Sequence, residues 1–99
     1  MTGDNLGPAA FDKLVARGFD SAVEGCARVR DAVNDQPRLV QEAHRLRGTA
    51  GSFGFARISA LAGAIEDRVE HAAAVHELME HLDTALTATR TEVAQMIAG

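Results

Sequence analysis

Apolar residues recur at intervals of three and four along the whole 99-residue chain, and no stretch shows the alternation at two that a strand requires. A period near 3.6 is that of an amphipathic helix. Prolines occur only at positions 8 and 37, each at the start of an apolar series, where proline is compatible with the first turn of a helix. The spacing predicts an all-α protein, and the length predicts one domain over residues 1–99.

The first half of the chain is predicted to form three helices. A short helix runs from Pro8 to about Gly18, and a second runs from Ser21 to about Asn34, with Ser21 and Glu24 at capping-box spacing. The third helix starts at Pro37. Its inward-facing residues follow a heptad seam, spaced by four and three: Leu39, Ala43, Leu46, Ala50 and Phe53.

The second half is predicted to form two more helices. A turn at Gly54 leads to a fourth helix, and a fifth starts near His76 after an alanine-rich joint. The inward residues of the fourth helix are Ile58, Leu61, Ile65 and Val69. Because short joints make neighbouring helices antiparallel, we expect an up-down antiparallel four-helix bundle with a short additional N-terminal helix across one end.

Composition excludes several classes of protein. A net charge of -4, with four Phe and no Trp or Tyr, disfavours nucleic-acid binding. Apolar runs are too short to cross a bilayer, and the first residues lack a secretory signal, so we expect a cytoplasmic protein without membrane contact. The lone Cys26 cannot form an internal disulfide, and we expect it to pack as a small buried hydrophobe.

Two charged regions invite a functional interpretation. Residues 38–57 carry four arginines against the single acid Glu42, which predicts a basic face for an acidic partner or an anion. His71, His76 and His81 are five residues apart, so successive rings turn by roughly 140° around a helix and cannot share a face. These histidines therefore predict no metal site.

The segment AHRLRGTAGSFG, residues 43–54, places glycines next to a histidine in what should be a helix. Each interior glycine costs about 1 kcal/mol relative to alanine. Winding the third helix puts Gln41, His44 and Gly48 opposite the apolar seam, with Gly51 on the same side. His44 should therefore face solvent. Nothing inside the domain then requires glycine at 48 or 51, which predicts the close approach of a macromolecule or a bulky group.

Gly54 has a simpler explanation, because it falls where the third helix should end and glycine is the usual residue just past a helix.

Arg47 stands one turn from His44, so its guanidinium can reach an anion carried on the ring. Imidazole is a good nucleophile at neutral pH, and a phosphoryl group on its nitrogen can pass to a carboxylate without a nucleotide site. An exposed imidazole, a cation and a gap for a partner suit phosphoryl carriage.

These residues resemble a known family. His44, Leu46, Arg47, Gly48, Ala50 and Gly54 match the pattern H-x-[LI]-[KR]-G-x-[AS]-x-x-x-G of histidine-containing phosphotransfer (HPt) domains, and Ala43 and the following SALAGAIED fit as well. Outside residues 37–67 the resemblance is one of helical pattern alone.

The resemblance implies a four-helix bundle and a set of roles. His44 would take a phosphoryl group from a phospho-aspartate of one receiver domain, such as that of a hybrid histidine kinase, and deliver it to the receiver of a response regulator. Arg47 would stabilise the phosphoryl group. Receiver docking would involve Gly48 together with Gln41, Arg45 and Gly51. Glu66 falls where members often place glutamine or glutamate: it could accept a hydrogen bond from the imidazole or be a solvated charge, and both alternatives stay open.

Two classes of function remain. The domain is a phosphorelay carrier, or it is a helical binding or inhibitory module that docks on a kinase or receiver without being phosphorylated. The retained His44 and Arg47 favour the carrier. An autonomous histidine kinase is disfavoured, because the sequence has no room for a second catalytic domain and shows no glycine-rich nucleotide site. We therefore expect a monomeric phosphocarrier without enzymatic activity of its own and without a cofactor, the resemblance implying that Mg²⁺ is supplied by the receiver.

Overall fold

A computed structural model of the chain describes residues 8–98. Over these residues it contains four α-helices and no strand: α1 (Pro8–Asp31), α2 (Gln36–Ser52), α3 (Ala56–Asp67) and α4 (Ala72–Ala98). Each helix packs against the next one in the chain, and α4 packs back against α1. The all-α prediction is confirmed for this part of the chain, whereas the up-down orientation of the helices stays a prediction from their short joints.

The separate N-terminal helix is a wrong prediction, since residues 8–31 form one continuous helix. Gly18 lies inside α1 and is buried. A Cβ atom built there would collide with the ring of Phe53, so this glycine makes room for a contact and does not end a helix. Ser21 accordingly lies in the middle of α1 and caps nothing, and the helix ends at Asp31, before Asn34.

The start of the last helix also differs from the prediction. α4 begins at Ala72 and not near His76, because the alanine-rich joint is itself the first turn. Alanine has the highest helix propensity, and the Val75 amide already donates to the His71 carbonyl at 2.9 Å.

Both ends of α2 follow from local sequence. The Asp35 side chain accepts a hydrogen bond from the Arg38 amide, which caps the first turn beside Pro37. At the other end Gly54 has φ +78°, its amide donates to the Gly51 carbonyl, and the next amide, at residue 55, donates to the Ala50 carbonyl. This pair of bonds is a Schellman motif, which confirms Gly54 as the C-terminal stop.

The core is formed by one side of each helix. Four seam residues of α2 are at most 1% exposed: Leu39, Ala43, Leu46 and Ala50. The predicted fifth member, Phe53, departs from the seam, because it lies just past the end of α2 with its ring against α1 and is 37% exposed. On α3, Ile58 and Ile65 are fully buried, while Leu61 and Val69, which follows α3, are half-buried.

Cys26 is buried in this core at 1% exposure, and burial raises the pKa of its thiol to about 11. A thiol with that pKa carries almost no thiolate at neutral pH. The residue therefore packs as a small hydrophobe.

None of the helices in residues 8–98 is both long and apolar enough to cross a bilayer.

The contact between Gly18 and Phe53 gives a first testable prediction. Gly18→Ala should lower the melting temperature, because overpacking costs about 1–3 kcal/mol and outweighs a helix-propensity gain of about 1 kcal/mol. Gly48→Ala is the matched control, since a Cβ atom there has open space around it, and it should leave stability unchanged or raised.

Thermal unfolding of both variants, each also made in a Phe53→Ala background, provides the measurement. Removal of the ring should abolish the penalty at Gly18. The packing role of Gly18 would be refuted if Gly18→Ala stabilised the protein as much as Gly48→Ala does.

Candidate functional site

The candidate site lies on the outer face of α2, opposite the buried seam. His44 and Arg47 are exposed, with 64% and 48% of their side-chain surfaces accessible. The other predicted site residues of α2 are exposed as well: Gln41, Arg45, Gly48 and Gly51. Burial of the seam fixes the rotation of the helix, and this rotation places all six residues at the surface.

Glu66 of α3 reaches the histidine. Its side chain is only 20% exposed, and Oε2 lies 3.0 Å from Nδ1 of His44. An ionised carboxylate only accepts hydrogen bonds, so the contact is a hydrogen bond when Nδ1 carries the hydrogen and donates it. Of the two alternatives that the sequence left open for Glu66, the structure contains the hydrogen bond.

The same carboxylate also faces Arg47. Nη1 of Arg47 lies 3.4 Å from Oε1 of Glu66, which is an ion-pair distance, although Oε1 is buried and makes no hydrogen bond within the described residues. One carboxylate of α3 therefore stands between the imidazole and the guanidinium of α2, with one oxygen towards each.

Two residues of α3 that contact Arg47 were missed in the sequence. The Ser59 hydroxyl donates to the Arg47 carbonyl at 2.9 Å. A Cβ atom built at Gly63 would lie 3.2 Å from Cδ of Arg47, so the arginine stem crosses α3 at this glycine. Ser59, Gly63 and Glu66 are spaced by four and three, and winding α3 in the way α2 was wound would have placed them on one face.

The outward glycines have no role in packing within the domain. A Cβ atom at Gly48 would have no neighbour within 4 Å, and one at Gly51 would make an ordinary contact with the Ser59 hydroxyl at 3.4 Å. Neither glycine is thus required by its own fold. Gly48, one turn from His44, therefore leaves open space beside the ring on the surface of α2.

The basic character of this region is partly neutralised. Nη1 of Arg45 lies 3.8 Å from a carboxylate oxygen of Glu42, one turn earlier on the same helix. Arg47 is within reach of Glu66, as described above. Arg38 and Arg57 are exposed at the two ends of this region.

The contact with Glu66 makes the two ring nitrogens of His44 different. With Nδ1 donating to Glu66, the lone pair of the neutral ring resides on Nε2. Nε2 is then the ring nitrogen with an available lone pair, and no hydrogen bond occupies it within residues 8–98. The ring is held by a carboxylate on one side and is exposed to solvent on the other.

The remaining histidines take no part in this site. His71, His76 and His81 are exposed, and His76 lies 3.7 Å from Glu80 of the same helix. Residues 8–98 contain no group of three or more side chains that could hold a metal ion.

Fold and site together define a helical bundle that presents one oriented imidazole beside a cation. The family model of the Hpt domain matches residues 13–92, which is more than half of the chain. The chain therefore belongs to the Hpt domain family, whose members are phosphocarrier modules of two-component phosphorelays and interact with response-regulator receiver domains. Comparison with curated proteins gave no match, and neither did comparison with solved structures.

The hydrogen bond to Glu66 gives a prediction about the tautomer of His44. In the unmodified protein the neutral ring should carry its hydrogen on Nδ1, and ¹⁵N chemical shifts of the imidazole nitrogens measure this directly. Glu66→Ala should shift the ring towards the Nε2–H tautomer, which an exposed imidazole favours when nothing accepts from Nδ1. Glu66→Gln keeps an acceptor oxygen and should retain more of the Nδ1–H form. Identical spectra for wild type and Glu66→Ala would show that the bond has no hold on the ring.

Proposed function

We propose that His44 is the phosphorylated residue of a phosphorelay intermediate, which accepts a phosphoryl group from the phospho-aspartate of one receiver domain and passes it to the aspartate of another. The observation that carries the proposal is the bond between Nδ1 of His44 and Glu66, at 3.0 Å, on an otherwise exposed ring. It leaves the nucleophilic nitrogen accessible to a partner.

The transfer step balances without a nucleotide. The Nε2 lone pair attacks the phosphorus of the acyl phosphate, a P–N bond forms, the P–O bond to the aspartate breaks, and the carboxylate leaves with the electron pair. The hydrogen on Nδ1 stays in place, so the ring gains positive charge that Glu66 faces. The reverse step delivers the group to the next aspartate and restores the neutral ring.

Arg47 is the group of this chain that meets the phosphoryl charge. A phosphoryl group brings close to two negative charges within one helical turn of the guanidinium, which offers several donors. In the unmodified protein the arginine is near Glu66 instead, at 3.4 Å. When the ring receives or carries a phosphoryl group, the guanidinium is attracted to that group as well as to Glu66.

The surface around the ring suits a receiver. Gly48 leaves space for another backbone beside His44, and Gln41, Arg45 and Gly51 border that space on the exposed face of α2. We propose that the receiver supplies the Mg²⁺ for transfer while this chain needs no cofactor. We propose that the relay operates in the cytoplasm with this protein as a monomer.

The central prediction concerns the modified residue. His44→Gln should abolish acceptance of phosphate from a labelled phospho-receiver, because glutamine keeps polarity and lacks the nucleophilic nitrogen. The label on the wild-type protein should be acid-labile and base-stable. His76→Gln is the matched control, since His76 is exposed and also faces a carboxylate, and it should accept phosphate at the wild-type rate.

The same experiment separates the carrier from a binding or inhibitory module. A module that only docks would bind receivers without becoming labelled. His44→Gln would then change neither its labelling nor its binding to receivers. Transfer to His44→Gln at the wild-type rate would refute the assignment.

Gly48 gives a prediction about access. Gly48→Gln should slow transfer from a phospho-receiver and weaken receiver binding, because the side chain projects into the space that the partner needs, while stability stays at or above that of wild type owing to a helix-propensity gain of up to about 1 kcal/mol. Gly48→Ala should have a smaller effect. Ala94→Gln, which introduces the same side chain at an exposed site of α4, should leave transfer unchanged. A Gly48→Gln protein that melts lower yet transfers normally would show that the glycine serves the fold.

A further inference from the structure

The stem of Arg47 rests on α3 at a glycine whose small size serves nothing else in the described structure. A Cβ atom at Gly63 would lie 3.2 Å from Cδ and 3.9 Å from Nη1 of Arg47. Apart from its chain neighbours and the adjacent backbone of α3, no other atom would lie within 4 Å of it. The first of these distances is tighter than ordinary packing, so any side chain at this position presses on the arginine.

The backbone gives no reason for glycine here. Gly54 alone among the glycines of residues 8–98 has a positive φ, and Gly63 lies inside the 12-residue helix α3. In a helix of that length glycine is disfavoured relative to alanine. The core gives no reason either, because a Cβ atom at 63 would touch only the arginine.

Three residues of α3 hold one residue of α2. Ser59 donates to the Arg47 carbonyl at 2.9 Å and fixes the backbone. Glu66 lies 3.4 Å from the guanidinium and attracts its charged end. Gly63 lies between them in sequence, at the point where the stem crosses the helix. The guanidinium is thereby kept beside the carboxylate that also binds His44, before any phosphoryl group arrives.

We propose that Gly63 is a positioning residue for phosphoryl transfer, which lets the stem of Arg47 lie against α3 so that the guanidinium stays beside His44. A larger side chain would lift the stem and turn the guanidinium into solvent. Transfer then slows although His44, Glu66 and the docking face are intact. This inference rests on the proposed function and adds to it a residue that does not touch the reacting atoms.

The test is a size series at residue 63 with transfer from a labelled phospho-receiver as the readout. Arg47→Ala should slow transfer about tenfold, which corresponds to the loss of one partly solvated charge-assisted contact. Gly63→Leu should approach that loss, and Gly63→Ala should slow transfer about twofold, since a flexible arginine yields to a single methyl group. Gly63→Ala should also melt at or above the wild-type temperature, so an effect on its rate is not an effect of unfolding.

A double-mutant cycle distinguishes positioning from a general disturbance of α3. In an Arg47→Ala background, Gly63→Leu should have no further effect, because the residue acts through the arginine. Ala60→Leu is the matched control on an exposed site of the same helix, and it should transfer at the wild-type rate. A second readout does not involve phosphoryl transfer: the NMR signal of the Arg47 Nε–H group in the unphosphorylated protein. Its chemical shift should differ from that of a solvent-exposed arginine in wild type and should move to that value in Gly63→Leu.

The outcomes separate this inference from the proposed function. If Gly63→Leu transfers at the wild-type rate while Arg47→Ala is slow, or if the two substitutions add in full, the positioning role is overturned and the carrier role stands. If Arg47→Ala transfers normally, Gly63 has nothing to position and the inference falls with it. If His44→Gln still accepts phosphate, the proposed function itself is wrong.

Discussion

The burial of one seam along α2 is the constraint on which the rest of the site depends. Leu39, Ala43, Leu46 and Ala50 are almost completely removed from water, and any rotation of the helix about its axis would expose some of them at a cost proportional to the apolar area uncovered. The seam therefore fixes the opposite face as well. His44 stands on that face, where an imidazole can enter a partner protein, because the helix has no other favourable orientation.

The turn after α2 allows α3 to bring a carboxylate beside this exposed histidine. The Schellman motif at Gly54 ends α2 sharply, and α3 then packs alongside it. The packing brings the half-buried carboxylate of Glu66 to a residue 22 positions earlier in the chain. Its two oxygens face two different side chains, His44 and Arg47, so the ring and the guanidinium are organised by the same group.

In the proposed carrier, phosphorylation of His44 would affect the two contacts of the Glu66 carboxylate differently. A phosphoryl group on His44 competes with Glu66 for the guanidinium, while the positive charge that the ring gains strengthens its bond to the same carboxylate. Arg47 is then free to turn towards the anion without loss of ring orientation. The site holds its groups at the surface, where a receiver can reach them.

Sequence periodicity determined the all-α class, the outward direction of His44 and the stop at Gly54, because each is a property of residues a few positions apart on one helix. It could not determine what lies across from a given residue. Gly18 was interpreted as a helix end, whereas it accommodates the ring of Phe53 from a distant part of the chain, and the bond from His44 to Glu66 was only one of two alternatives. Contacts between helices depend on how far each helix is shifted and rotated against its neighbour, and that is decided by packing over the whole core. The tertiary structure alone could therefore decide that α3 supplies the carboxylate to the ring.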